Sequence, residues 1–167
     1  MKFKLIALFL IAACACNHCA AAQIIPETDP QNAAQAACPA ANTIKAPQLY
    51  GMWQVTFTNP PAGLPKTAVM MLEKHEEFAD SLAGIVSRDS VTAAGHTAKA
   101  ALAGDVEDGF VILDESSNNV SISGTWNGEL VASSCGREVK GLWKDTSASA
   151  PPDSPDVHFS MKKLSGW

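Results

Sequence analysis

The chain has 167 residues, with 12 basic and 17 acidic side chains and a formal net charge of −5 at pH 7. It contains no stripe of Lys and Arg that could neutralise a phosphate backbone, which excludes a nucleic-acid partner. Hydrophobic residues make up 47% of the sequence, which is enough to form the core of one soluble domain.

Residues 1–22 have the pattern of a secretory signal peptide. Lys2 and Lys4 precede an apolar run over residues 5–13, and small residues up to Ala22 form an Ala-x-Ala cleavage site. The apolar run is too short to cross a bilayer as a helix. Cleavage leaves 10 basic and 17 acidic residues, a charge of −7. We therefore expect an exported protein, periplasmic or extracellular, without a transmembrane span.

The same segment allows a second form of export. Ile11-Ala12-Ala13-Cys14 resembles a bacterial lipobox, whose cysteine becomes lipidated and is the first residue of the mature protein. In this alternative, Cys14 anchors the protein to the envelope. The sequence leaves the choice between the two forms open.

The cysteines favour cleavage after Ala22. That cleavage removes three of the five cysteines and leaves Cys38 and Cys135. An even pair in an oxidising compartment is typical of one disulfide. We expect a Cys38–Cys135 bond that joins the N-terminal part of the mature chain to the domain.

Residues 23–47 are rich in Ala, Gln, Pro and Asn and show little periodicity, so we expect a flexible leader. Residues 48–167 form one domain of short alternating segments, the pattern of β-strands. In chain order the predicted strands are residues 51–58, 67–74, 81–87, 99–105, 110–114, 120–126, 129–134, 138–144 and 157–163. Residues 89–98 are interpreted as a long connection.

Two dipeptides between these segments predict tight hairpin turns. They are Asp108-Gly109 and Asn127-Gly128, the latter being the strongest short-range hairpin pattern. Eight or nine sequential strands with almost no helix predict a single all-β domain. We expect an antiparallel up-and-down meander of about eight strands, closed into a barrel that removes its edges.

Three tryptophans stand two residues after a glycine, at Trp53, Trp126 and Trp143. On a strand, a residue and its second neighbour share a face, so the glycine leaves space for an indole. Two interpretations remain open. The indoles line a ligand cavity, or they pack as the core of the barrel.

The tryptophan motifs resemble those of avidin-type barrels in the calycin group. Leu49-Tyr50-Gly51-Met52-Trp53 resembles the Gly-x-Trp opening that avidins share with lipocalins, and residues 81–86 resemble the third avidin strand. Residues 124–129 are similar to the family's Trp-(Ser/Thr)-Gly-Gln hairpin, with Trp143 as the partner tryptophan. The resemblance implies an avidin-like barrel over residues 50–163, with Trp126 and Trp143 beside its pocket.

The resemblance does not extend to the biotin site. Val55 and Val86 stand where the family has a polar Asn and a Tyr, and residues 110–114 lack the expected tryptophan. A urea-like group needs converging hydrogen-bond partners, because each unpaired group costs about 1–3 kcal/mol. Biotin is therefore not the expected ligand. The lipocalin alternative lacks a Thr-Asp-Tyr segment.

The sequence indicates neither catalysis nor a cofactor. The histidines beyond the signal peptide are His75, His96 and His158, and no two have the spacing of metal ligands. No Gly-x-Ser-x-Gly elbow is present. Asp114 and Glu115 are adjacent on a predicted strand and so point to opposite faces. We expect a protein that is not an enzyme and binds no metal.

Two functional hypotheses follow. The first is an exported, non-catalytic barrel that binds an unidentified small or peptidic ligand at the loops near residues 59–65, 89–98 and 148–155. Its candidate ligand-binding residues are Trp126, Trp143, Trp53 and Phe110. The second is a periplasmic or surface interaction protein, such as a small-barrel protease inhibitor or a component of an envelope assembly. A cavity lined by Trp126 and Trp143 favours the first hypothesis, and a packed interior favours the second.

Overall fold

The computed structural model describes residues 38–88 and 98–165. Eight antiparallel strands form one closed barrel, in which each strand pairs with its neighbours in sequence and the first pairs with the last. The strands are β1 (Gly51–Phe57), β2 (Thr67–Lys74), β3 (Ser81–Arg88), β4 (Ala98–Glu107), β5 (Phe110–Ser116), β6 (Gly124–Leu130), β7 (Glu138–Asp145) and β8 (Val157–Ser165). This confirms the predicted all-β meander. The predicted signal peptide, Cys14, residues 89–97 and Trp167 lie outside the described residues.

The core occupies the barrel interior because side chains alternate along each strand. In β1, Trp53, Val55 and Phe57 are buried and the residues between them are more accessible. In β3, Val86 is likewise fully buried. Val55 and Val86 are the positions at which the avidin resemblance would require polar groups, and both contribute apolar packing instead.

One end of the barrel is covered by the segment that precedes β1. Residues 41–43 form a 3₁₀ turn and Ala46–Leu49 form a short helix, α1. Ile44, Ala46 and Leu49 are buried against the core, although residues 44 and 46 belong to the predicted leader. We call this the closed end. The predicted disulfide is confirmed there, since Cys38 is bonded to Cys135, which follows β6.

Trp53 belongs to the closed end. Its indole Nε1 donates a hydrogen bond of 2.8 Å to the carbonyl oxygen of Leu49 in α1. Lys163 Nζ lies 5.8 Å from the centroid of the Trp53 ring and donates to the carbonyl oxygen of Gln48 over 2.7 Å. This tryptophan is therefore a buried core residue that fixes α1 to the barrel.

The hairpin turn predicted at Asn127-Gly128 is wrong. β6 runs continuously through both residues, and neither has the positive φ that a type I′ turn requires. A Cβ on Gly128 would collide with Val139 and come within 3.2 Å of the Phe159 ring, so this glycine is needed for interior packing. The end of the predicted strand 120–126 and the start of the predicted strand 129–134 thus belong to one strand, β6. Residues 120–123 lie in the β5–β6 loop, and Ala132–Ser134 form a 3₁₀ turn.

The turn predicted at Asp108-Gly109 is present between β4 and β5. Its two residues have φ values of 49° and 88°, as a type I′ turn requires. The two glycine-containing dipeptides therefore differ in what the glycine does. Gly109 allows a backbone conformation that L side chains rarely adopt, whereas Gly128 leaves space for its neighbours.

Candidate functional site

The end of the barrel opposite α1 contains a buried polar cluster, and we call this end the mouth. β3 and β5 end here, and β6 begins here. Inward alternation places Arg88 after Val86 on β3 and Glu115 after Leu113 on β5. Both charged side chains are buried, with residue exposures of 8% for Arg88 and 4% for Glu115.

Arg88 and Glu115 form a bidentate ion pair. The two terminal guanidinium nitrogens, Nη1 and Nη2, each lie 2.6 Å from a different carboxylate oxygen of Glu115. Glu115 Oε2 also accepts hydrogen bonds from the indole Nε1 of Trp126 over 3.0 Å and of Trp143 over 3.2 Å. A buried carboxylate requires such partners, because desolvation of an unpaired charge costs several kcal/mol.

The same arginine contacts both tryptophan rings. Its Cζ lies 5.6 Å from the ring centroid of Trp126 and 5.2 Å from that of Trp143, within the range of cation–π attraction. Arg88 Nε is buried and has no hydrogen-bond partner in the described structure. Each indole is therefore held in two ways. Its Nε1 donates a hydrogen bond to Glu115, and its ring contacts the guanidinium group of Arg88.

Trp126 fills the barrel interior. Its exposure is only 1%, and its ring packs 5.6 Å from Phe57 and 5.0 Å from Phe159, measured between centroids. The burial of Trp126 therefore supports the interpretation in which this indole packs as part of the barrel core. The interior at this level is occupied by aromatic side chains and by the ion pair.

Trp143 is the register partner of Trp126 on the neighbouring strand, and its indole extends toward Gly124 at the mouth. Its indole occupies the space that a side chain on Gly124 would need, since a Cβ there would lie 2.7 Å from the Trp143 Nε1. The glycine thus makes room for the tryptophan of the neighbouring strand, rather than for Trp126 on its own strand. Trp143 as a whole is buried, with an exposure of 7%, and it is one of the residues that line a cleft at the mouth.

The cleft lies between the β1–β2 loop (residues 58–66) and the β7–β8 loop (residues 146–156) and has a volume of about 330 Å³. We call it the rim cleft. Its walls are mainly Pro, Ala, Gly and Leu, with Asp145, whose Oδ1 accepts a hydrogen bond from the Ser147 backbone N–H. The lining residues are Pro61, Ala62, Gly63, Leu64, Trp143, Asp145, Pro151, Ser154, Pro155 and Val157.

The structure brings together two of the four predicted ligand-binding residues, Trp126 and Trp143, and only Trp143 lines the cleft. Trp53 is at the closed end. Phe110 lies on the outer surface of the barrel, with an exposure of 52%. The ligand-binding roles of these residues remain predictions.

Sequence reasoning missed Arg88 and did not assign Glu115 to the site. The predicted third strand ended at Ser87, one residue too early. Extending the alternation of Leu82, Gly84 and Val86 by one step would have placed Arg88 inside. The inference that Asp114 and Glu115 point to opposite faces is confirmed, because Asp114 is exposed and Glu115 is buried.

Within residues 38–88 and 98–165, no three His, Cys, Asp or Glu side chains come together as a metal site. No helix in the same ranges is long and apolar enough to span a membrane. Lys163 has a lowered pKa because of its partial burial and the nearby charge of Arg137, but it belongs to the closed end.

No family model matches this sequence, and no curated protein matches it. The calycin resemblance therefore rests on the Gly-x-Trp motif and on the architecture. A closed barrel of eight sequentially connected antiparallel strands is compatible with a calycin-like fold.

Proposed function

We propose that this protein is an exported, non-catalytic binding protein that holds an apolar side chain of a peptidic ligand in the rim cleft. The observation that carries the proposal is the position of Trp143. Its indole is fixed by Glu115 and Arg88 and lies beneath a cleft walled by two proline-containing loops. A rigid aromatic surface binds at low entropic cost, because little side-chain freedom remains to be lost.

The packed interior favours a peptidic ligand over an enclosed small molecule. Trp126, Phe57 and Phe159 occupy the space beneath the mouth, so a ligand contacts the rim. The volume of about 330 Å³ is at the lower end for small-molecule sites, which span about 300–1,000 Å³. An apolar side chain fits such a cleft, while the rest of the peptide lies across the loops.

Charge around the cleft favours a basic ligand. Asp145 lines the cleft, and the β7–β8 loop carries the exposed residues Asp153 and Asp156. The cations of this region are Lys144, which lies 3.9 Å from Asp156, and the exposed Lys66 of the β1–β2 loop, so acidic side chains outnumber basic ones by three to two. Complementary charge speeds association and selects among partners. We therefore expect an apolar residue flanked by Lys or Arg to bind best.

The partner can be a free peptide or an exposed segment of a larger protein. The same packed interior supports the second case, an interaction protein such as a protease inhibitor or a component of an envelope assembly. Both cases use the rim cleft. An avidin-like relationship is part of the proposal, supported by the barrel and by Gly51-Met52-Trp53, without the biotin site.

A selection with random peptides tests the proposal. Peptides displayed on phage are selected on the mature protein, and their affinities are measured for two variants. Ala62→Trp fills the cleft from an exposed position, so the fold does not depend on it. Ala79→Trp is the matched control, an exposed alanine in the β2–β3 turn at the closed end of the barrel. We expect Ala62→Trp alone to abolish binding.

Selected peptides that bind the Ala62→Trp variant as tightly as they bind the unmodified protein would contradict the proposal, because the binding surface would then lie outside the rim cleft. Export is tested separately by the mass of the mature protein from its native source. Cleavage after Ala22 and lipidation at Cys14 give different masses.

A further inference from the structure

The outer wall of the barrel carries exposed apolar side chains far from the rim cleft. On β3 and β5, Ile85, Phe110 and Ile112 have exposures of 47%, 52% and 54%. The β5–β6 loop adds Val120 at 89% and Ile122 at 50%. Concentrations of exposed apolar surface mark sites of association. We call these residues, with Ala101 and Ala103 of β4, the outer patch.

The outer patch is uneven, because the β5–β6 loop projects from it and two cavities lie next to that loop. The β5–β6 loop lies beside the wall, and a cavity of about 360 Å³ is lined by Val120 and Ile122 on one side and by Ala101 and Ala103 on the other. A second cavity of about 200 Å³ borders Ile85. The alanines allow a second sheet to approach to the usual distance of about 10 Å. A surface with projection and hollow side by side can fit a copy of itself.

The charges on β4 show how two copies would be arranged. Its outward-facing residues are Lys99, Ala101, Ala103, Asp105 and Glu107, with a basic residue at one end and two acidic residues at the other. A two-fold axis in the interface, perpendicular to β4 at Leu102, places Lys99 opposite Asp105 of the partner subunit. The symmetry repeats this attraction. An axis parallel to β4 would instead place Lys99 opposite the same residue of the second copy.

The strand register extends this arrangement to β5. Leu102 pairs with Glu115, Asp105 with Ile112, and Glu107 with Phe110. Rotation about the axis at Leu102 therefore exchanges the Phe110 end of β5 with the end at which the β5–β6 loop begins. The loop of one copy then lies over Phe110 and Ile112 of the second copy. The most exposed apolar side chains of the patch cover one another.

We infer that two copies of this chain associate through the outer patch as an isologous dimer, with β4 antiparallel to its symmetry mate. The rim cleft is formed by loops of β1, β2, β7 and β8, so it stays accessible in each copy. The dimer therefore presents two clefts, which increases avidity for a ligand with repeated binding segments. Asp114, beside Ala103 in the register, brings two like charges near the axis and limits the affinity.

Sedimentation velocity of the mature protein, over a concentration series up to about 100 μM, tests the dimer. We expect a reversible monomer–dimer equilibrium. Lys99→Asp should weaken it about tenfold or more, because it creates two repulsive pairs. Combining Lys99→Asp with Asp105→Lys should restore it, and Asp114→Asn should strengthen it. The exchange of charges separates a specific interface from non-specific adhesion.

Ile112→Asp and Thr56→Asp form the matched pair of variants. Both residues are exposed on strands, and only Ile112 belongs to the outer patch. We expect Ile112→Asp to give a monomer and Thr56→Asp to associate as the unmodified protein does. A protein that is monomeric at about 100 μM, or a charge exchange that fails to restore association, would overturn the inference. Neither result bears on peptide binding at the rim cleft.

Discussion

Replacement of Glu115 by Leu removes the acceptor that joins Arg88 to both mouth tryptophans. The bidentate pair at 2.6 Å is lost, together with the indole hydrogen bonds of 3.0 and 3.2 Å. Breaking one side of a buried ion pair costs about 3–5 kcal/mol, since a charge stays buried without a partner. We expect Glu115→Leu to lower the free energy of unfolding by at least that amount.

Arg88→Met should cost less than Glu115→Leu, because the carboxylate keeps two indole donors. The double variant should be much less destabilised than the sum of the single variants, since replacing a buried pair with apolar side chains is often neutral or stabilising. Glu115→Gln keeps the shape and an acceptor oxygen, and we expect a loss of about 1.5–3 kcal/mol. It provides a measurable variant if Glu115→Leu does not fold.

Equilibrium unfolding in urea, followed by far-ultraviolet circular dichroism, measures these differences at a constant denaturant slope. Lys144→Met is the control, because the pair between Lys144 and Asp156 is exposed and 3.9 Å long. Its effect should stay below about 1 kcal/mol. Additive single-variant losses, each below about 1 kcal/mol, would refute the view that the Arg88–Glu115 pair organises the mouth.

Three further predictions concern other parts of the barrel. Reduction of the Cys38–Cys135 disulfide, which spans 97 residues, should lower the free energy of unfolding by about 4–5 kcal/mol, measured in urea with and without reductant. Gly124→Ala should cost about 1–3 kcal/mol in the same assay, because the added methyl group displaces the Trp143 indole; an unchanged midpoint would contradict this. The lowered pKa of Lys163 means that the folded state binds fewer protons than the unfolded state below the ordinary pKa of 10.5. Stability should therefore rise with pH from the lowered pKa up to 10.5, and Lys163→Met should lose this rise.

The alternation of apolar residues was sufficient to predict the barrel. The prediction depends on one local rule, that every second residue of a strand faces the core. In β1 the predicted inward residues Trp53, Val55 and Phe57 are all buried, and in β8 so are Val157, Phe159 and Met161. The turn predicted at Asn127-Gly128 was wrong because this dipeptide has the composition of a hairpin turn although it lies within a strand. The reason for Gly128 lies in Val139 and Phe159, which are distant in sequence and reach it only in the closed barrel.

The mouth was harder to predict for a similar reason. Arg88 and Glu115 are 27 residues apart and have no shared motif. Charged residues are rarely buried unless paired, so each one alone is expected to face solvent. Only the register of β3, β4 and β5 brings them together. Trp143 was predicted to lie beside a pocket, but the rim cleft is formed by loops whose conformations no periodicity specifies.

Nuclear magnetic resonance of the indole N–H groups tests the proposed function most directly. The chain has four tryptophans, and each gives its own indole signal in a ¹⁵N-labelled sample. Titration with a peptide obtained from the selection should shift the signal of Trp143 progressively and leave that of Trp53, at the closed end, in place. Saturation of binding with the Trp143 signal unmoved would contradict the assignment of the rim cleft as the binding site.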